Sequence, residues 1–163
     1  MTLHNDTITG YKVFNHNFAC RDYDFKGVGT THIYEGTPVL CKSGFHFCTS
    51  LQDCFKYYEI TRRMIICEVT ATGYTDAKED CSKRTCQSLS IIRRMPLHEV
   101  AQHITDSHWA YCWARDIGNR DIMINRITDS WYAYRWARYI GNKDIMIARY
   151  PDIEGWLAQG YIG

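Results

Sequence analysis

The stretch ITDSHWAYCWARDIGNRDIMINR, residues 104–126, is followed without a gap by ITDSWYAYRWARYIGNKDIMIAR, residues 127–149. Seventeen of the 23 positions are identical, in the frame I-T-D-S-x-x-A-Y-x-W-A-R-x-I-G-N-x-D-I-M-I-x-R. A repeat of this length marks a stack of short units, each too small to bury its apolar face without a neighbour. Asp106 or Ser107, and Asp129 or Ser130, carry the short polar side chains that cap a helix N-terminus. Ala110, Trp113, Ala114 and Ile117 follow at i, i+3, i+4, i+7, as do Ala133, Trp136, Ala137 and Ile140, and draw one apolar stripe. Gly118-Asn119 and Gly141-Asn142 end that helix with residues that tolerate a left-handed backbone. A second short helix is expected from Asp121 and from Asp144.

Outward from this core, His98 to Ile104 reads as an entering half-repeat, one period ahead of Asp121 to Ile127. Residues 150–163 begin a third copy, with Asp152 matching Asp129, and then degrade as a capping end does. Residues 96–163 are therefore expected to be helical repeats, and residues 1–95 a separate α/β domain. The earlier part is punctuated differently. Ile8 to Phe14, Phe18 to Phe25, Thr31 to Tyr34, Val39 to Cys41, Gly44 to Cys48, Met64 to Val69 and Leu89 to Ile92 read as strands. A helix starting at Thr49 or Ser50 places Leu51, Cys54, Phe55 and Tyr58 on one face, and Asp76 to Thr85 reads as a polar loop. The fold class expected is α+β: a small mixed sheet with one or two helices, followed by a short helical-repeat stack.

Composition narrows the function. With 163 residues, 45% of them hydrophobic and 14% aromatic, the chain can bury a real core and is not disordered. Its apolar runs are too short for a membrane span. No basic stretch followed by an apolar one occurs in Met1 to Asn15, so no secretory signal is expected. A net charge of +1 argues against a broad grip on phosphate backbones, although a local basic patch is compatible with it. Three of the eight cysteines, Cys54, Cys67 and Cys112, lie in apolar segments where a thiol packs as a small hydrophobe. Paired metal-ligand spacing is missing, since Cys41, His46, Cys48 and Cys54 have no matching second pair. Reduced thiols, a cytosolic location, no metal and no membrane association are the expectations.

Two regions attract functional attention. In the second repeat Trp131, Arg135 and Arg138 fall at i, i+4, i+7, with Tyr132 and Tyr139 seven apart beside them. Arginine among aromatic rings is the composition of protein-interface anchors and of single-stranded nucleic-acid platforms. The same residues would also serve as packing between repeats, with the arginines paired to aspartates. In the earlier part the common catalytic templates are missing: no G-x-S-x-G, no H-E-x-x-H, no P-loop and no G-x-G-x-x-G. His46 is the histidine set inside an apolar strand-like segment.

Gly44-Phe45-His46-Phe47-Cys48, a helix ending Cys54-Phe55-Lys56-Tyr57-Tyr58, and Ile65 to Gly73 (IICEVTATG) follow one another. This order resembles the ADP-ribosyltransferase fold of the His-Tyr-Glu type, with its G-I-Y-F-A motif, a helix ending in A-N-Y and a strand like L-L-x-E-V-x-L-G. The resemblance covers residues 44–92. It implies that His46 replaces the tyrosine of the first motif and that Tyr57 stacks on nicotinamide. It further implies that Cys54 replaces the serine that bonds the carboxamide, and that Gln87 falls near the glutamate. Glutamine can donate a hydrogen bond, but it carries no charge to stabilise an oxocarbenium-like transition state. The first-strand His-Gly pair has no counterpart; Lys12 in Tyr11-Lys12-Val13-Phe14 is its nearest substitute. The resemblance thus implies a degenerate pocket for NAD or another adenine-containing ligand.

The chain also resembles an uncharacterised group of small proteins from phages and mobile elements. These have a G-Y-K-V-F opening (Gly10 to Phe14), an S-G-F-H-F-C segment (Ser43 to Cys48) and short D-S-x-x-A-Y-x-W-A repeats. That likeness implies an origin and no activity. By analogy with phage accessory proteins of this size, the expectation is a non-catalytic binding protein without a cofactor, a counter-defence inhibitor of the anti-CRISPR kind, contacting a host or defence protein through its repeats. An ADP-ribosyltransferase or NAD-binding protein, and a nucleic-acid-binding module, are the alternatives.

Overall fold

The computed structural model describes residues 2–160, so the last three residues of the expected capping copy lie outside the described residues. Two compact units divide the chain, Met1–Val100 and Ala101–Gly163. Each is α or β by its own local chemistry, and the class is α+β.

The first unit is built on strands β1 (Ile8–Phe14), β2 (Ala19–Cys20), β3 (Tyr23–Asp24), β4 (Thr31–Ile33), β5 (Phe45–Cys48), β6 (Ile65–Tyr74) and β7 (Lys83–Arg94). β1 pairs with β6 from Ile8↔Ala71 to Phe14↔Ile65, and β6 pairs with β7 from Cys67↔Arg94 to Tyr74↔Cys86. The start of β7 pairs with β5, and β5 meets β1 at Tyr11↔Cys48. The hydrogen bonding therefore closes on itself through β1, β6, β7 and β5, with β4 added along β7. Every pairing among the described residues is antiparallel, which corrects the expected mixed sheet. A parallel pair needs a long crossover, usually a helix. Ahead of β7 this unit supplies just one 3-10 turn, Leu51–Lys56.

Other boundaries shift for physical reasons. The expected loop at Asp76 to Thr85 gives up Lys83, Arg84 and Thr85 to β7, where they pair with Cys48, Phe47 and His46 of β5. The expected strand at Phe18 to Phe25 is a hairpin of two two-residue strands, and Val39 makes just one isolated bridge, to Ser43. Two glycines explain their motifs. A Cβ on Gly10 would stand 2.5 Å from the Phe47 ring and 2.9 Å from the Cys48 carbonyl oxygen, so a side chain at this position would force β1 and β5 apart. At Gly44, φ is +83° and a Cβ would meet Thr85 Oγ1 at 2.5 Å. Phe14, Phe25, Phe45, Phe47, Val69, Leu89 and Ile91 are among the side chains of the core that these approaches enclose.

From α1 (Leu97–Gln102) onward the chain is helical: α2 (Ser107–Asp116), α3 (Arg120–Met123), α4 (Ser130–Tyr139), α5 (Lys143–Arg149) and α6 (Ile153–Gln159). Asp106 accepts from the backbone N–H of His108 and Trp109, and Asp129 from that of Tyr132, so the aspartates are the caps. The serines beside them join one repeat to the next. Ser107 Oγ pairs with Thr128 Oγ1 at 2.9 Å, and Ser130 Oγ donates to Asp152 Oδ1 at 3.0 Å. Asn119 and Asn142 take the left-handed conformation at φ 53° and 54°. From there each amide oxygen accepts from the indole N–H six residues back, Trp113 at 3.0 Å and Trp136 at 3.2 Å. Both tryptophans are wholly buried, so this bond satisfies a donor that would otherwise cost about 1–3 kcal/mol.

Candidate functional site

A cleft of about 980 Å³ opens in the first unit, lined by β1, the β2–β3 hairpin, β5 and the 3-10 turn. Its volume suits a small-molecule site. Lys12 stands in β1 with a 3% exposed side chain, and its ammonium donates to the His46 carbonyl at 2.6 Å. Cys20 Sγ is 3.8 Å away, and the ammonium lies 5.2 Å from the centre of the Phe25 ring. Burial pushes the lysine below its ordinary pKa.

His46, on β5, lines the same cleft. Its Nε2 accepts the backbone N–H of Cys41 at 2.9 Å, so the proton of the neutral ring sits on Nδ1. Burial, then the charges of Lys83, Lys12 and Arg21, push its pKa down to about 4. At neutral pH His46 is a fixed hydrogen-bond donor whose other nitrogen is already occupied. Cys54 is buried on the 3-10 turn, its Sγ 3.6 Å from the Tyr11 carbonyl oxygen. It shares a hydrogen bond with Cys48, which lowers the Cys48 thiol and raises that of Cys54. Tyr57 follows the turn. Its hydroxyl donates to Cys81 Sγ at 3.4 Å, and the Lys83 ammonium caps one ring face at 4.0 Å. The hydrogen bond to Cys81 holds the phenol above its ordinary range.

His46, Tyr57 and Cys54 thus meet in one cleft. Gln87 is not among the residues that line it. Its side chain lies over Gly73 of β6, where a Cβ would come within 2.5 Å of Gln87 Oε1. Sequence reasoning gave Lys12 a minor part and passed over Arg21, Lys42 and Lys83, which also line the cleft. A charged residue inside the otherwise apolar run of β1 was the available signal for Lys12.

In the second unit Arg135 is half-buried, its guanidinium 5.0 Å from the Tyr111 ring and 5.9 Å from the Trp131 ring. Trp131 also packs against Tyr134, with ring centres 5.8 Å apart. Tyr132 bonds His108 Nδ1 at 2.8 Å, across the two repeats. Arg138 is exposed, donates to the Tyr134 hydroxyl at 2.6 Å and lies 5.2 Å from the ring of Tyr139, itself 59% exposed. Among the described residues no helix is long and apolar enough to cross a membrane.

No curated protein and no solved structure matches the chain. Residues 8–103, more than half of its length and the span that holds every side chain lining the cleft, match the family described as a domain of unknown function, DUF7666, and the chain belongs to that family.

Proposed function

We propose that the first unit binds a nucleotide of the NAD type and performs no group transfer on it. The observation that carries this reading is that His46, Cys54 and Tyr57, set close together on β5 and the turn after it, all line one cleft, at the positions the transferase resemblance assigns. Aromatic walls with a few placed polar groups suit a base and its sugar. The absence of transfer follows from Gln87, which is uncharged and off the cleft. Asp22 and Glu35 do line the cleft, but both are exposed, and a solvated carboxylate stabilises a developing cation weakly. Titration calorimetry with NAD tests the reading. Saturable heat is expected, weakened at least tenfold in Tyr57→Ala, with no label passed from NAD to proteins of a host lysate. No heat at millimolar NAD sinks the binding; transfer that depends on His46 or Gln87 sinks the non-catalytic part.

A second reading concerns the repeats: attachment to a host or defence protein in the cytosol, as a counter-defence inhibitor of the anti-CRISPR kind would make. Exposed Arg138 and Tyr139, beside the half-buried Trp131 and Arg135 stack, favour it. Replacing Arg135 and Arg138 together by Glu is expected to abolish capture of one partner protein and to lower the thermal midpoint, since Arg135 packs on Tyr111 and Trp131. Tyr139→Ala, at a 59% exposed ring, is expected to weaken capture with the midpoint unchanged. Undiminished capture refutes it, and an affinity that falls steeply with salt on RNA or single-stranded DNA replaces it with nucleic-acid binding.

A further inference from the structure

We infer that the Lys12 ammonium is the anchor for a phosphate or pyrophosphate group, so that the ligand sits in the cleft with its anionic end on β1. The inference rests on the ligand reading above and names which end of the molecule goes where.

Lys12 is 3% exposed and carries three donors. One goes to the His46 carbonyl; the Cys20 thiol at 3.8 Å is a weak second partner, and Phe14 and Phe25 supply rings. Among the described residues its polar contacts include no carboxylate. A buried cation with one strong acceptor costs stability, and proteins retain such groups where a ligand completes them. Lys12, Arg21, Lys42 and Lys83 give the cleft four cations against the two exposed carboxylates of Asp22 and Glu35, and His46 adds no charge at neutral pH. The local field is positive, and among the described residues the deepest cation has no carboxylate beside it. A phosphate has acceptor oxygens to spare and forms short charge-assisted bonds to an ammonium. Its negative charge also favours the protonated lysine and so offsets the desolvation that depresses it.

The test measures binding of inorganic pyrophosphate, ADP and adenosine to the full chain at constant ionic strength, by calorimetry and by the shift in thermal midpoint. Wild type is expected to bind all three. Lys12→Met keeps the length and the apolar stem; it is expected to melt at a higher temperature, lose pyrophosphate altogether, bind ADP at least tenfold more weakly and keep adenosine. Lys12→Arg, which restores the charge, is expected to recover part of the pyrophosphate affinity. Tyr57→Ala is expected to do the reverse of Lys12→Met, keeping pyrophosphate and losing adenosine. Pyrophosphate that ignores wild type, or binds wild type and Lys12→Met alike, overturns the anchor, whatever adenosine does. A Lys12→Met protein that cannot fold assigns the lysine to the architecture and also overturns it. Pyrophosphate bound through Lys12 with no affinity for adenosine or NAD keeps the anchor and removes the nucleotide reading.

Discussion

In the repeats the indole donors and the helix caps find their partners within the frame: Trp113 and Trp136 reach asparagines six residues on, and Asp106 and Asp129 reach backbone two or three residues on, while the Ser107–Thr128 pair joins one copy to the next. In the first unit the partners are distant along the chain. Lys12 reaches across 34 residues to His46, Thr85 across 42 to Ser43, and Cys54 across 43 to Tyr11. The contrast separates two ways of satisfying buried groups. Short-range closure can be copied, and the chain copies it. Long-range closure must be assembled once, by strands that approach from different parts of the sequence, and such an assembly can enclose a cleft. Local closure also forms early and cheaply, because little loop entropy is lost before the contact is made.

The largest effect expected from breaking the comparison is in the repeats. Trp136→Ala removes a fully buried ring and orphans the Asn142 amide oxygen, so a loss of about 3–5 kcal/mol is expected in urea unfolding. Trp113→Ala should cost the same within about 1 kcal/mol, since Trp113 is equally buried and bonds Asn119 as Trp136 bonds Asn142. A marked inequality would break the idea that the two copies are energetically equivalent.

Next in size is a pair of identical substitutions with opposite signs. Gly44→Ala places a Cβ 2.5 Å from Thr85 Oγ1 and 2.9 Å from the Cys86 carbonyl oxygen, on a backbone at φ +83°. It is expected to destabilise by about 1–3 kcal/mol. Gly155→Ala, inside α6 with open space around it, is expected to stabilise by about 0.5–1 kcal/mol through helix propensity. Equal effects at the two sites, by thermal or chemical unfolding, would mean that the tight β5–β7 approach has no energetic weight.

The same contrast explains what was readable beforehand. Caps, stripe and left-handed stops of the repeats all operate within a few residues, so a period of 23 carries them whole. The finer role of Ser107 and Ser130 in joining copies stayed hidden, because it depends on which neighbour stacks where. Lys83, Arg84 and Thr85 read as loop because they are polar. Yet Thr85 is completely buried, its hydroxyl donating to the Ser43 carbonyl, and its β-branched side chain suits the strand that its polarity disguised. His46, Cys54 and Tyr57 were legible only through spacing borrowed from a resemblance. The centrality of Lys12 required knowing that β1 and β5 run side by side, which no local pattern states.

The last expected effect concerns His46, appears only over a limited pH window, and sharpens the long-range side of the comparison. Its folded pKa is near 4, against an ordinary value of 6.5. Between those values the unfolded chain binds a proton that the folded protein refuses. Stability contributed by the neutral ring is therefore fully present above pH 6.5 and is lost as pH falls toward 4. His46→Gln removes the titration while keeping a side chain that can hydrogen-bond. The wild-type minus variant difference in unfolding free energy should rise with pH across this window and be flat above it. Carboxylates that titrate in both proteins cancel in that difference. A bound phosphate at Lys12 adds negative charge beside the ring and raises its folded pKa, so pyrophosphate should flatten the difference curve. A curve that keeps its slope at saturating pyrophosphate would place the anion away from His46, and so away from the lysine whose ammonium rests on the His46 carbonyl.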